Sequence, residues 1–220
     1  MLLFDGFTQL DLTGPYEVLA RMPGAQIALV ARSPRSVVSD TKLEIVPTAT
    51  FTTAPPCDVL FVPGGPGVDQ AMLEPDLIDF VQRQAKEANV VTSVCTGALI
   101  LGAAGLLQST KATTHWNSVE FLASFRAQHV DERVVVDGTR ITGGGVTSGI
   151  DFALQLVARL AGEDVAKQIQ LTIEYDPHPP FHAGSPKTAD PELVERVRAK
   201  SAPDKERRRK AVEEAARRLP

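Results

Sequence analysis

Val90-Val91-Thr92-Ser93-Val94-Cys95-Thr96-Gly97-Ala98-Leu99-Ile100-Leu101-Gly102 changes character at its middle. Up to Val94 it is a mostly β-branched run of the kind found in parallel strands buried on both faces. After Cys95 small and aliphatic residues follow at helical spacing. The stretch therefore reads as a strand, a sharp turn at Cys95 and a helix from Thr96. Ser93 and Gly97 flank the turn two residues to either side, and small side chains there let helix and strand pass closely. A thiol at such a corner stands off the sheet edge and faces the positive end of a helix, which favours the thiolate. The expectation is an acidified, reactive sulfur. A free cysteine also serves elsewhere as a small buried hydrophobe; the elbow is what argues for chemistry here.

Outward from this elbow, strands alternate with helices. Strand patterns fall at 1–4, 26–31, 58–62 and 90–94. A hairpin or short excursion is expected over 37–39 and 43–46, and a second hairpin over 133–136 and 140–142 about Asp137-Gly138. Helices are expected from Pro15, with Gly14 as cap, and over 75–88, 118–127, 148–161 and 164–174. That alternation predicts an α/β fold, an open and mostly parallel sheet with helices on both faces. Residues 175–186, rich in proline and histidine, cannot be regular. Two charged helical stretches follow, ending in Lys205-Glu206-Arg207-Arg208-Arg209-Lys210, a run that reads as a solvated helix face. The chain thus divides into an α/β domain over 1–190 and a charged helical tail over 191–220.

Composition bounds the function. A hydrophobic fraction of 43% with 23% charged residues is an ordinary globular balance, and a net charge of −4 argues against a nucleic-acid surface over the whole chain. Two cysteines, Cys57 and Cys95, are too few for a disulfide framework. The start Met1-Leu2-Leu3-Phe4-Asp5 lacks the features of a signal peptide. The apolar run from Ala98 to Leu107 is far short of the ~20 residues that span a bilayer. The expectation is a soluble, cytoplasmic protein with neither nucleic acid nor membrane as partner.

Ligands in open α/β sheets sit beyond the carboxyl ends of the strands. Besides Cys95, two loops fall there. In Pro63-Gly64-Gly65-Pro66-Gly67, the N–H groups of Gly64 and Gly65 could line an oxyanion hole, or the loop could be a tight turn that binds nothing. Gly143-Gly144-Gly145 has neither the lysine nor the spacing of a phosphate loop, so Gly144 is read as part of a close-packing turn bordering the site. His115 is either a proton partner for Cys95 or structural. Asp11, outside the cap at Gly14, is left as an Asx-turn, an earlier N-cap or a functional carboxylate. His178 and His182 match no zinc pattern, so no metal and no cofactor are expected.

Several motifs together resemble the isonitrile (isocyanide) hydratase family of the PfpI and class-I glutamine-amidotransferase-like superfamily. They are Gln9-Leu10-Asp11-Leu12-Thr13-Gly14-Pro15, Val62-Pro63-Gly64-Gly65, Thr92-Ser93-Val94-Cys95-Thr96-Gly97, Ala112-Thr113-Thr114-His115-Trp116, Thr142-Gly143-Gly144-Gly145 with Gly149-Ile150-Asp151-Phe152-Ala153-Leu154, and Glu174-Tyr175 with Pro179-Pro180-Phe181 and Ala183-Gly184-Ser185-Pro186. The likeness spans nearly the whole chain. It implies a homodimer of flavodoxin-like α/β/α sandwiches and a hydro-lyase that adds water to R–N≡C, giving an N-substituted formamide through a thioimidate. It also implies roles: Cys95 the nucleophile, Asp11 its acidic partner, Thr96 the supporting hydroxyl beside it. A carboxyl near an anionic sulfur is pushed to higher pKa, and such a pair can hold one proton between them. The chain begins a few residues later than the family pattern, so a shortened first strand is expected.

Rival expectations are a glyoxalase- or deglycase-like thiol enzyme, a redox-responsive chaperone-like protein, and a small-molecule sensing domain. The threonine at position 96 replaces the histidine that follows the cysteine in protease-type relatives, so peptidase activity is not expected.

Overall fold

The computed structural model describes residues 1–219. In chain order the elements are α1 (Gln9–Leu19), β1 (Val30–Ala31), β2 (Val37–Val38), β3 (Glu44–Ile45), β4 (Ala49–Thr50), β5 (Val59–Val62), α2 (Val68–Ala71), α3 (Pro75–Glu87), β6 (Val90–Val94), α4 (Gly97–Ala103) and β7 (Lys111–Ala112). A 3₁₀ segment (Trp116–Phe125), β8 (Gln128–His129), β9 (Val134–Asp137), β10 (Arg140–Gly143), α5 (Ser148–Ala161), α6 (Glu163–Thr172) and α7 (Pro191–Arg217) complete the chain.

The central sheet runs β5-β6-β10-β9, parallel except for β9, which turns back on β10 at the expected Asp137-Gly138 hairpin. The first residues extend it. Leu2 N–H donates to the Phe61 carbonyl at 2.9 Å, Leu3 N–H donates to Val30, and β1 pairs in parallel with β4. Helices α1, α5 and α6 pack together on the sheet, while α3, α4 and the 3₁₀ segment form the other packed set. This is the flavodoxin-like α/β arrangement. Phe7, Phe61, Phe125 and Phe152 are fully buried in the core, each contributing roughly 2–3 kcal/mol of apolar burial.

Four local expectations are corrected. The first helix begins at Gln9, not Pro15. Pro15 lies inside it, so the Asp11 carbonyl lacks its partner four residues on, and Asp11 falls in the first turn. The second strand shrinks to Val30–Ala31. The segment expected as an α-helix over 118–127 is a 3₁₀ turn over Trp116–Phe125, closed by Arg126 in the left-handed conformation. Finally, the charged region beyond 190 is one helix, α7, running through Pro203. It packs against the 3₁₀ segment, α2 and α4.

Candidate active site

The carboxyl ends of β5, β6 and β10 converge on Cys95. This residue has φ 56°, the left-handed conformation that a non-glycine residue adopts at a cost of about 1–2 kcal/mol. The surrounding backbone holds it there. Cys95 N–H is shared between the carbonyls of Gly144 (2.8 Å) and Gly143 (3.0 Å), and its own carbonyl accepts from Thr114 Oγ1 at 2.8 Å. Gly97 follows because a β-carbon there would fall on the carbonyl oxygens of Val62 and Pro63. Every backbone polar atom of the elbow residue is thus tied down, which fixes where the sulfur goes.

Asp11 reaches the sulfur from the first turn of α1. Its residue is fully buried, and Oδ2 accepts from Gly64 N–H at 3.0 Å. The Cys95 thiol stands close enough to the same carboxyl for each group to shift the other's titration. Oδ1 is buried and finds no partner of ordinary hydrogen-bond geometry. Burial raises the Asp11 carboxyl to about 7, the Asp40 charge adding to it, against the opposing bonds from Cys95 and Gly64.

The sulfur itself does not meet the expectation of an acidified thiol. Burial and then the Asp11 charge push the Cys95 pKa well above the ordinary thiol range, outweighing the Thr96 N–H bond and the Arg208 charge that favour the thiolate. A helix end contributes typically 0.3–1 kcal/mol, up to about 2, and a sulfur removed from water loses more than that. Cys95 and Asp11 therefore form a coupled pair that carries one proton over a wide range above neutral pH.

The glycine loop after β5 supports this pair. Gly65 N–H donates to Thr96 Oγ1 at 2.9 Å, and the Thr96 hydroxyl returns a bond to the Gly65 carbonyl at 3.2 Å. With Gly64 N–H given to Asp11, neither amide stands free as an oxyanion donor. The loop instead fixes Asp11 and Thr96. A β-carbon on Gly64 would stand 2.5 Å from Thr96 N and 2.8 Å from Asp11 Oδ2, so no side chain fits there.

Gly144, expected to border the site, uses its carbonyl to hold Cys95 N–H and donates its own N–H to the Arg133 carbonyl at 2.9 Å. His115 caps the 3₁₀ segment, its Nδ1 accepting from Asn117 N–H at 3.3 Å, which leaves the proton of the neutral ring on Nε2. Burial and then the Arg208 charge lower its pKa to about 4. His115 is neutral at physiological pH and makes no hydrogen bond to Cys95.

Sequence reasoning missed Thr114, Asp69, Ser118 and Arg208. Asp69 lies buried in α2, where it accepts from Arg208 Nε at 2.7 Å and Arg207 Nε at 3.2 Å. The hint was a carboxylate set among Val68, Ala71 and Met72; nothing local marked Arg208 within its basic run. His178 and His182 lie exposed in the irregular segment before α7, and among the described residues no group of three or more His, Cys, Asp or Glu stands together as a metal site.

The DJ-1/PfpI family model matches residues 1–159. An isonitrile hydratase from Pseudomonas putida is 50% identical over 218 residues, spanning 99% of this chain and 96% of the relative. A crystal structure of a ThiJ/PfpI family protein from Pseudomonas syringae superposes with a TM-score of 0.93 at 44% identity, covering 98% of this chain and 88% of that one. The HTH-type transcriptional regulator GbdR of Pseudomonas aeruginosa is 28% identical over 80% of this chain, which spans 50% of the regulator.

Proposed function

The chain belongs to the DJ-1/PfpI family, and on that premise we propose that it is an isonitrile hydratase, with Cys95 as nucleophile and Asp11 as proton donor. The observation that carries this reading is a buried carboxyl titrating at about 7 beside a buried thiol, within a chain 50% identical to an isonitrile hydratase.

The terminal carbon of R–N≡C becomes electrophilic only as a proton reaches it. In the singly ionised pair, transfer of the thiol proton to Asp11 yields a thiolate and a carboxylic acid in contact. The sulfur bonds to the carbon while Asp11 protonates that carbon, giving the thioimidate R–N=CH–S–Cys95. The Asp11 carboxylate then takes a proton from water as its oxygen adds to the same carbon, and passes that proton to the nitrogen. Collapse expels the Cys95 sulfur, which regains its proton, and releases R–NH–CHO. Thr96 and Gly64 hold the two reacting groups in register throughout, and Gly65 holds Thr96.

Cys95 is 5% exposed. A linear R–N≡C group presents a single terminal atom on a slender rod, so it can reach a sulfur that bulkier carbonyl substrates reach less easily. The glyoxalase-like alternative uses the same pair, and the test separates the two. Wild-type protein given alkyl and aryl isonitriles forms the matching formamides, and Cys95→Ala and Asp11→Asn do not. Conversion of methylglyoxal to lactate with no formamide from any isonitrile contradicts the assignment.

The same reading carries a homodimer in the cytoplasm. Exposed Leu171 (83%) and Phe181 (77%) supply apolar surface for a second copy, and Cys57 and Cys95 are free thiols suited to a reducing compartment. Light scattering after gel filtration tests the dimer. Among the described residues no helix is long and apolar enough to cross a membrane.

A further inference from the structure

Asp151, in the first turn of α5, and Tyr175, just past α6, belong to sequence motifs that the chemistry of Cys95 and Asp11 does not use. In the fold both meet Arg133, the residue that leads into β9. Arg133 Nε donates to Asp151 Oδ2 at 2.5 Å, and Arg133 Nη2 donates to Thr147 Oγ1 at 3.3 Å. The Tyr175 hydroxyl donates to the same carboxylate, 3.2 Å from either oxygen. One side chain thus gathers the start of β9 and the chain after α6 onto α5.

The backbone of Arg133 acts on the elbow. In the β9–β10 ladder Val134 faces Gly143, and Arg133 takes the next position, its carbonyl accepting from Gly144 N–H at 2.9 Å. The Gly144 carbonyl in turn accepts from Cys95 N–H at 2.8 Å. Gly143, Gly144 and Gly145 have no side chains by which to pack, so hydrogen bonds set the path of this loop. A β-carbon on Gly144 would stand 3.5 Å from the Arg133 carbonyl oxygen, an ordinary contact, so steric crowding does not wedge the loop in place. Cys95 keeps its strained φ of 56° only while its surroundings over-determine it.

We propose that Asp151 is a positioning residue for Cys95: by clamping Arg133 and Tyr175 to α5 it fixes the Arg133 carbonyl, and through it Gly144 and the left-handed elbow that presents the sulfur. This rests on the reading of Cys95 as the nucleophile. A half-exposed ion pair adds little to stability. Its effect here is on geometry, where a shift of about 1 Å in a reacting group costs up to about 10²-fold in rate.

The test compares two ion pairs of like exposure. The Arg133 and Asp151 side chains are 53% and 31% exposed, and those of Arg32 and Glu74, which join the end of β1 to the start of α3, are 52% and 26% exposed. Turnover of an isonitrile and alkylation of Cys95 by iodoacetamide are measured beside the thermal midpoint. Asp151→Asn and Arg133→Met are expected to lower kcat by about fivefold or more with KM within about twofold of wild type. Alkylation moves the opposite way, rising about threefold or more, because a loosened elbow admits the reagent to a sulfur otherwise 5% exposed. Arg32→Met leaves both readings within about twofold, whatever it does to the midpoint. If the first two variants lose their cooperative transition, Tyr175→Phe, which deletes one hydroxyl and keeps the ring, shows the same pattern at about twofold. Unchanged kcat and alkylation in these variants, with a lowered midpoint alone, overturns the inference, as does an equal effect of Arg32→Met. If the wild type forms no formamide, alkylation alone decides. A wild-type Cys95 that neither turns over isonitrile nor reacts with iodoacetamide contradicts the nucleophile reading, and the inference falls with it.

Discussion

Two turns leave the carboxyl ends of the adjacent parallel strands β5 and β6, and they solve the same geometric problem in opposite ways. The first, Pro63-Gly64-Gly65-Pro66-Gly67, is built from residues without side-chain demands, and its amides are given to Asp11 and Thr96. The second forces a cysteine into a left-handed conformation and ties down its backbone from Gly143, Gly144 and Thr114. One turn is support and the other is strained and reactive. Strain is tolerable at Cys95 because the neighbouring turn and the Gly144 loop over-determine its position.

Breaking the reactive turn removes function with little cost to the fold. Cys95→Ala lowers formamide turnover at least about 10³-fold while unfolding free energy changes by no more than about 1–2 kcal/mol, read by denaturant titration. Asp11→Asn lowers kcat by about 10²–10⁴-fold, the range for loss of a placed acid–base group.

The same Asp11→Asn variant changes stability with a sign that pH exposes. The native carboxyl is raised from 3.8 to about 7, so the native state binds more protons than the unfolded chain between those values. Stability contributed by this group is complete below about pH 4 and is lost as pH rises through about 7, on the order of 2–4 kcal/mol. His115 works the other way. Lowered from 6.5 to about 4, it costs stability as pH falls through that window. Asp11→Asn is therefore expected to melt higher than wild type at pH 8.5 and no higher at pH 5, by calorimetry.

Disturbing the supporting turn gives the complementary result. Gly64→Ala costs about 1–3 kcal/mol because its β-carbon stands 2.5 Å from Thr96 N, and it lowers kcat roughly tenfold or more by displacing Asp11 and Thr96. Equal stability losses in Cys95→Ala and Gly64→Ala would erase the division between the two turns. At the far end of the scale, Glu192→Gln breaks a 3.9 Å pair with Arg196 on the exposed side of α7, with side chains 88% and 68% exposed. It shifts stability by less than about 0.5 kcal/mol.

What could be read from the chain follows the range of the interactions. The elbow, the β-branched strands and the Asp137-Gly138 hairpin are local patterns, and the structure repeats them. Gly14-Pro15 imitates a helix start, yet α1 runs through it because the Pro15 ring packs into the space left by Gly149, where a β-carbon would stand 3.0 Å away. The run 205–210 shows charge but not direction. The partner of Arg208 lies 139 residues earlier, and no local signal joins the two. The sulfur was misread for a related reason: helix position is visible in sequence, whereas burial, the larger effect, is a property of the assembled core.

The central claim is a covalent bond between Cys95 and the isonitrile carbon. Rapid quenching during turnover of a ¹³C-labelled isonitrile, followed by mass spectrometry of the digested protein, measures it directly. The account predicts a transient gain on the Cys95 peptide equal to the mass of one intact isonitrile, decaying as labelled formamide appears and absent in Cys95→Ala. Formamide produced at the wild-type rate with no label on Cys95, or by Cys95→Ala, contradicts it.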